Sequence, residues 1–166
     1  MKKRRFFALF LVLGLLVSLL SVPASAFEEI DVDARAALLV EKETGEILYE
    51  KNAHEKNYPA SITKLTVALL VFEAIDAGQL SLDQPITAHE SAFEGLSIYG
   101  STAGIKVGEV LTVEQLLQCM LIVSANEACN ILAEAVCGEG NISQFVQRMN
   151  ERAAALGCEN THYVNT

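Results

Sequence analysis

The stretch PASITK, residues 59–64, leads directly into an apolar run, residues 65–77. Nearly every residue of that run other than its Thr, Glu and Asp is apolar, and the run stops at Gly78, a residue common just past the end of a helix. The pattern predicts a helix over residues 61–77. Because this helix is apolar on almost every side, we expect it to lie inside a domain.

Ser61 and Lys64 are three residues apart at the start of this helix, so their side chains share one face. A serine hydroxyl becomes a nucleophile when a neighbouring base takes its proton, and Ser-Lys pairs are a recurring version of that arrangement. The lysine must be neutral to act as the base, and burial favours its neutral form. Taken alone, the pattern also fits a helix cap followed by a solvated lysine.

The first 26 residues have the three regions of a secretory signal peptide. Basic residues 2–5 precede an apolar run, residues 6–22, and Ala24-Ser25-Ala26 is a small-residue cleavage site. An uncleaved anchor helix is the alternative, but the run is at the short limit for a membrane span. We predict export with cleavage after Ala26, which leaves residues 27–166 as the folded part.

The predicted mature chain is strongly acidic. The first 26 residues contain four basic residues and no acidic one, so the remainder has 8 Lys and Arg against 21 Asp and Glu and a net charge of −13. Such a charge opposes binding to nucleic acid. The remaining length suffices for one domain with a hydrophobic core but not for two.

The chain has four cysteines, Cys119, Cys129, Cys137 and Cys158. An even number in an exported chain permits disulfides, in any of three connectivities. The first three lie among apolar residues in helical patterns, where a free cysteine behaves as a small buried hydrophobe. We therefore favour free thiols, and the spacing does not resemble a metal site.

The remaining pattern predicts a β-hairpin followed by helices. Two short apolar runs, residues 36–40 and 47–49, flank a polar turn that contains a glycine. Residues 79–110 contain one proline and four glycines without helical periodicity, so we expect them to be irregular. Three helices are predicted next: from a capping box at 112–115 to a break at 124–126, from there to Gly138, and from Asn141 to Gly157.

The break between the first two of these helices is the triplet Ser124-Ala125-Asn126. A short polar turn between buried helices can face a cleft, where Ser124 can pass a proton between the Ser61-Lys64 pair and a leaving amine. The Asn126 amide can donate to a substrate carbonyl and also hold Lys64. A helix cap is the alternative for the triplet alone.

With both motifs present, the sequence resembles the serine-type D-alanyl-D-alanine carboxypeptidases of peptidase family S11, the low-molecular-mass penicillin-binding proteins of bacterial cell-wall metabolism. The resemblance runs from about Ala36 to the last residue, and the segments that carry it are 58–64, 100–109, 111–117, 124–128, 149–150 and 160–165. It implies an α+β protein with the β-lactamase/DD-peptidase-like fold, an antiparallel sheet joined to a helical subdomain.

The resemblance also implies a reaction. The enzyme would remove the terminal D-Ala of a peptidoglycan stem peptide through an acyl-serine intermediate, with Ser61 as nucleophile, Lys64 as its proton acceptor, Ser124 as the third catalytic residue and Asn126 as a substrate-binding residue. It implies stem peptides ending in D-Ala-D-Ala as substrates, β-lactams as inhibitors, no cofactor or metal, and a location in the periplasm or on the outer face of the cytoplasmic membrane.

The sequence departs from the family pattern in one respect. The third motif of the family, Lys-Thr-Gly on a strand lining the cleft, does not occur in these 166 residues. In the family that strand, much of the sheet and a C-terminal membrane anchor come later. We therefore expect residues 27–166 to be the N-terminal part of the catalytic domain, truncated before that strand. Two alternatives remain: a class A β-lactamase-like hydrolase, although that family usually has Ser-Asp-Asn where this chain has Ser-Ala-Asn, and an inactive cell-wall-binding fragment.

Overall fold

The computed structural model describes residues 31–166, so the predicted signal peptide and its cleavage site lie outside the described residues. The chain divides into two compact units, one ending at Lys56 and one beginning at Asn57. The strands and helices of the described part are, in order, β1 (Ala37–Val40), β2 (Ile47–Lys51), α1 (Lys64–Asp76), β3 (Pro85–Thr87), β4 (Val110–Thr112), α2 (Val113–Ile122), α3 (Asn126–Cys137) and α4 (Ile142–Ala155).

The first unit contains the predicted hairpin. β1 and β2 pair antiparallel, with Ala37 opposite Lys51 and a shift in register after Leu39. The turn is closed by the Glu41 carboxylate, which accepts hydrogen bonds from the Thr44 hydroxyl and from the Thr44 backbone N–H, each at 2.6 Å. These bonds hold the pKa of Glu41 below its usual value. The hairpin prediction is confirmed, with the second strand two residues longer than expected.

Helix α1, which follows the PASITK stretch, begins later than predicted. Ser61 lies in a 3₁₀ turn, Ala60–Thr63, and the α-helix starts at Lys64 and ends at Asp76. Tighter turns of this kind are frequent at helix N-termini. The helix is also not buried on all sides, since Val67 and Val71 are fully buried whereas Leu65 and Phe72 are 62% and 45% exposed.

The prediction that residues 79–110 are irregular was wrong in part. β3 pairs antiparallel with β4, with Ile86 opposite Leu111, and a 3₁₀ turn follows β3 at Glu90–Phe93. Strands of three residues are too short to establish an alternating pattern. Pro85 is tolerated because it is the first residue of its strand.

The capping box and the three helices after it are confirmed. The Gln115 N–H donates to Thr112 Oγ1 at 3.2 Å, and the Gln115 side chain accepts from the Thr112 N–H at 2.9 Å. α2 ends at Ile122, α3 spans the residues from Asn126 to Cys137, and α4 follows. Within residues 31–166, no helix has the length and apolar character needed to cross a bilayer.

α3 lies at the centre of the second unit, where it packs against α1, α2 and α4. The largest fully buried side chains around it include Leu116, Met120, Ile131, Leu132, Phe145 and Met149. All four cysteines are free thiols, as predicted, and burial raises the pKa of Cys129 to about 11. This packed helix carries the second sequence motif at its N-terminal end.

Candidate active site

The Ser61 hydroxyl and the Lys64 amine come together at the junction of the 3₁₀ turn and α1. Ser61 is exposed, whereas Lys64 is only 7% exposed. Lys64 Nζ lies 3.5 Å from Ser61 Oγ. The chain enters this junction through Ala60, whose φ of 47° is unusual for a residue with a Cβ atom. The local turn therefore places a buried amine behind an accessible hydroxyl.

Ser124 reaches the same point from the turn between α2 and α3. Its φ is 61°, in the left-handed region, and the next N–H, that of Ala125, donates to the Cys119 carbonyl at 3.1 Å. In this conformation Ser124 Oγ donates to Ser61 Oγ at 2.8 Å. Strained backbone of this kind costs about 1–3 kcal/mol and clusters at functional sites.

Asn126, the first residue of α3, completes the group. Its Oδ1 accepts a hydrogen bond from Lys64 Nζ at 2.8 Å, and its backbone N–H donates to the Ser101 carbonyl at 2.9 Å. A Cβ atom on Gly100 would lie 2.6 Å from Asn126 Nδ2, so only glycine fits there without displacing the amide. The structure thus brings all four sequence-predicted side chains into one hydrogen-bonded group.

The distances within this group determine what it can do chemically. The nearer partner of Lys64 Nζ is Asn126 Oδ1 at 2.8 Å, and Ser61 Oγ is farther, at 3.5 Å. Asn126 therefore orients the amine while leaving it within reach of the serine. A neutral amine in this position can accept the serine proton, and the second hydroxyl, on Ser124, can relay a proton.

Three members of this group, Ser61, Lys64 and Asn126, line a cavity of about 860 Å³ within the second unit. Its lining includes Ser61, Thr63, Lys64, Ser91, Ser97, Asn126, Asn130, Ile142, Val146, Val164, Asn165 and Thr166. A volume of this size is typical of sites that bind small molecules.

Sequence reasoning missed Asn130 and Glu127, two buried polar residues in the first part of α3. Asn130 Nδ2 donates to the Ala92 carbonyl at 2.9 Å, and its Oδ1 accepts from the Thr166 hydroxyl at 2.7 Å. Asn130 follows Asn126 by four residues and so lies on the same helix face. A polar residue in an otherwise apolar helical run was the available signal.

A family model described as D-alanyl-D-alanine carboxypeptidase matches residues 23–166. The D-alanyl-D-alanine carboxypeptidase DacF of Bacillus subtilis is 35% identical over 157 residues, which cover 90% of this chain and 39% of DacF.

Solved structures similar to this chain include those of a D-alanyl-D-alanine carboxypeptidase and of a penicillin-binding protein. The D-alanyl-D-alanine carboxypeptidase DacD from Francisella tularensis superposes with a TM-score of 0.75 at 36% identity, over 83% of this chain and 32% of that one. Penicillin-binding protein D2 from Listeria monocytogenes in its ampicillin-bound form has a TM-score of 0.69 at 30% identity, over 84% of this chain and 53% of that one.

The chain therefore spans about two fifths of the length of DacF and a third to a half of these solved chains. The predicted α+β, DD-peptidase-like fold class is confirmed by these neighbours. The matched region includes both sequence motifs and the whole described structure. The chain belongs to the D-alanyl-D-alanine carboxypeptidases of peptidase family S11.

Proposed function

We propose that the protein is a serine-type D-Ala-D-Ala carboxypeptidase that removes the terminal D-Ala from peptidoglycan stem peptides. The observation that carries the proposal is the buried Lys64 amine, held by Asn126 at 2.8 Å and placed 3.5 Å from an exposed serine hydroxyl. Membership of the family supports the reaction class. Residues 27–166 would supply the first part of the catalytic domain.

The proposed reaction begins when Ser61 Oγ attacks the carbonyl carbon of the penultimate D-Ala and Lys64 takes the serine proton. The tetrahedral intermediate collapses as the peptide C–N bond breaks. Ser124 relays to the leaving amine the proton that Lys64 took, and the amine departs as free D-Ala. A water then hydrolyses the acyl-Ser61 ester, which returns the hydroxyl to Ser61 and leaves the shortened peptide with a carboxylate. The Asn126 Nδ2 group donates to a substrate carbonyl during these steps, while its Oδ1 continues to hold Lys64.

β-Lactams are the proposed inhibitors, because they acylate a serine that attacks a D-Ala-D-Ala peptide bond. The Listeria monocytogenes relative was solved in an ampicillin-bound form. In this protein a penicillin would enter the 860 Å³ cavity and form an ester with Ser61 Oγ. The two alternatives, a β-lactamase-like hydrolase and an inactive cell-wall-binding protein, make different predictions for the same pair of assays.

The test uses the full-length protein with a peptide ending in D-Ala-D-Ala and, separately, with a penicillin. We expect release of free D-Ala from the peptide and a long-lived acyl-enzyme with the penicillin. Rapid penicillin turnover without D-Ala release would identify a β-lactamase-like hydrolase. If the protein neither released D-Ala nor was acylated, the cell-wall-binding alternative would remain.

We also propose that the protein acts outside the cytoplasm, after cleavage of a signal peptide following Ala26. N-terminal sequencing of the secreted product is expected to begin at Phe27. A variant with leucine in place of both Ala24 and Ala26 should accumulate as the uncleaved precursor, because the cleavage site requires small residues. Recovery of the unaltered protein as an intact chain starting at Met1 would contradict cleavage.

A further inference from the structure

We propose that Glu127 is a positioning residue of this site. Its buried carboxylate holds residues 100–104, the clamp segment, against the start of α3, and the clamp segment in turn fixes Asn126 and the Lys64 amine. The inference rests on the proposed function, because the reaction for which Asn126 and Lys64 are positioned is the one proposed above. It also gives a role to the first half of the segment 100–109, which contains three glycines.

The contacts of Glu127 are concentrated on one oxygen. The residue is 3% exposed and lies in the first turn of α3. Its Oε1 accepts hydrogen bonds from the Thr102 hydroxyl at 2.7 Å, the Ala103 N–H at 2.7 Å and the Gly104 N–H at 3.2 Å. Hydrogen bonds to an ionised acceptor are shorter and stronger than neutral ones, so this carboxylate binds three consecutive residues of the clamp segment tightly.

The other end of the clamp segment touches Asn126. The Ser101 carbonyl accepts the Asn126 N–H at 2.9 Å, and Gly100 lies so close that an added Cβ would approach Asn126 Nδ2 to 2.6 Å. The clamp segment is thus fastened to two adjacent residues of α3. A displacement of the clamp would move the Asn126 amide, whose Oδ1 holds Lys64 Nζ at 2.8 Å.

Glu134 provides a matched control on the same helix. It is 5% exposed, and its Oε1 accepts one hydrogen bond, from the Gly140 N–H at 2.9 Å. It therefore shares with Glu127 the burial of a carboxylate in α3, but it binds backbone beyond the other end of the helix. A purely structural requirement for buried carboxylates in α3 would make both residues matter equally.

The first test measures acylation of the full-length protein by a labelled penicillin, separating the affinity of the initial complex from the rate of ester formation. Glu127→Gln is expected to slow ester formation about 10-fold to 100-fold with little change in initial affinity, since a small misplacement of reacting groups has effects of this size. Glu134→Gln is expected to lower the melting temperature but to acylate like the unaltered protein. Wild-type ester formation in Glu127→Gln, or an equal loss in Glu134→Gln, would overturn the proposal.

A second measurement does not depend on the reaction. Amide hydrogen exchange, read by NMR, is expected to accelerate at Ala103, Gly104 and Asn126 in Glu127→Gln but not in Glu134→Gln. An unchanged rate at Asn126 would show that the clamp does not fix this residue. If the unaltered protein is not acylated at all, the proposed function fails, and the exchange rates still decide whether Glu127 holds Asn126.

A third variant perturbs the clamp without touching Glu127. Gly100→Ala places a methyl group against the Asn126 amide and is expected to slow ester formation with the fold retained. Gly108→Ala is the matched control, because its φ of +82° makes alanine strained while no atom lies within 4 Å of the added Cβ. It should lose stability and keep its acylation rate. Unaltered ester formation in Gly100→Ala would overturn the role of the clamp.

Discussion

A Ser61→Ala protein is expected to show no covalent labelling by a fluorescent penicillin. The substitution removes the only oxygen that the proposed reaction esterifies. The fold should remain, because Ser61 is exposed and its hydroxyl contacts only the polar side-chain groups of Ser124 and Lys64 among the hydrogen bonds of the described residues. The measurement is in-gel fluorescence after incubation of the full-length protein, together with its thermal unfolding.

Two serine variants serve as controls for this result. Ser81→Ala removes a hydroxyl that bonds to Asp83 outside the cavity and should label normally. Ser124→Ala should label slowly, because it loses a proton relay and not the nucleophile. Normal labelling of Ser61→Ala would show that another residue is acylated and would refute the assignment.

Replacing Lys64 is expected to have the second largest effect. Lys64→Met should slow acylation about 100-fold to 10,000-fold, the range associated with loss of a general base. It should also lower stability, because Asn126 Oδ1 loses its 2.8 Å donor in a part-buried position and an unpaired acceptor costs about 1–3 kcal/mol. Stopped-flow acylation and thermal unfolding measure the two effects separately.

Lys64→Arg distinguishes the two roles of this lysine. A guanidinium can donate to Asn126, but it stays charged and cannot take a proton from Ser61. We therefore expect Lys64→Arg to acylate as slowly as Lys64→Met. If the arginine variant acylated at the wild-type rate, a positive charge at this position would suffice and Lys64 would not be the base.

Most of the helical elements could be predicted because their signals are local. The capping box at Thr112 and Gln115, the break at Ser124 and the glycines after α3 and α4 each act within a few residues of the element they delimit. The Ser61-Lys64 pair is local in the same sense. Only its conformation differed, since Ser61 lies in a 3₁₀ turn ahead of the α-helix.

Features that depend on distant residues could not be read from such signals. β3 pairs with β4 across more than twenty intervening residues, and neither strand is long enough to alternate. Glu127 accepts hydrogen bonds from residues 23 to 25 positions earlier in the chain, and no pattern among its sequence neighbours predicts these partners. Local signals permit Ser124 to meet Ser61, 63 residues earlier, but it is the resemblance of the two motifs together to a known family that predicts the contact.

The backbone at Ser124 has a consequence for how this protein can evolve. A residue with φ of 61° is least strained as glycine, yet glycine would remove the hydroxyl that meets Ser61. Selection for a more stable fold and selection for turnover therefore favour different residues at position 124. Ala60, with φ of 47°, has no side-chain hydrogen bond to lose. Glycine at position 60 can raise stability at little cost to the chemistry, whereas glycine at position 124 raises stability only with loss of the proton relay.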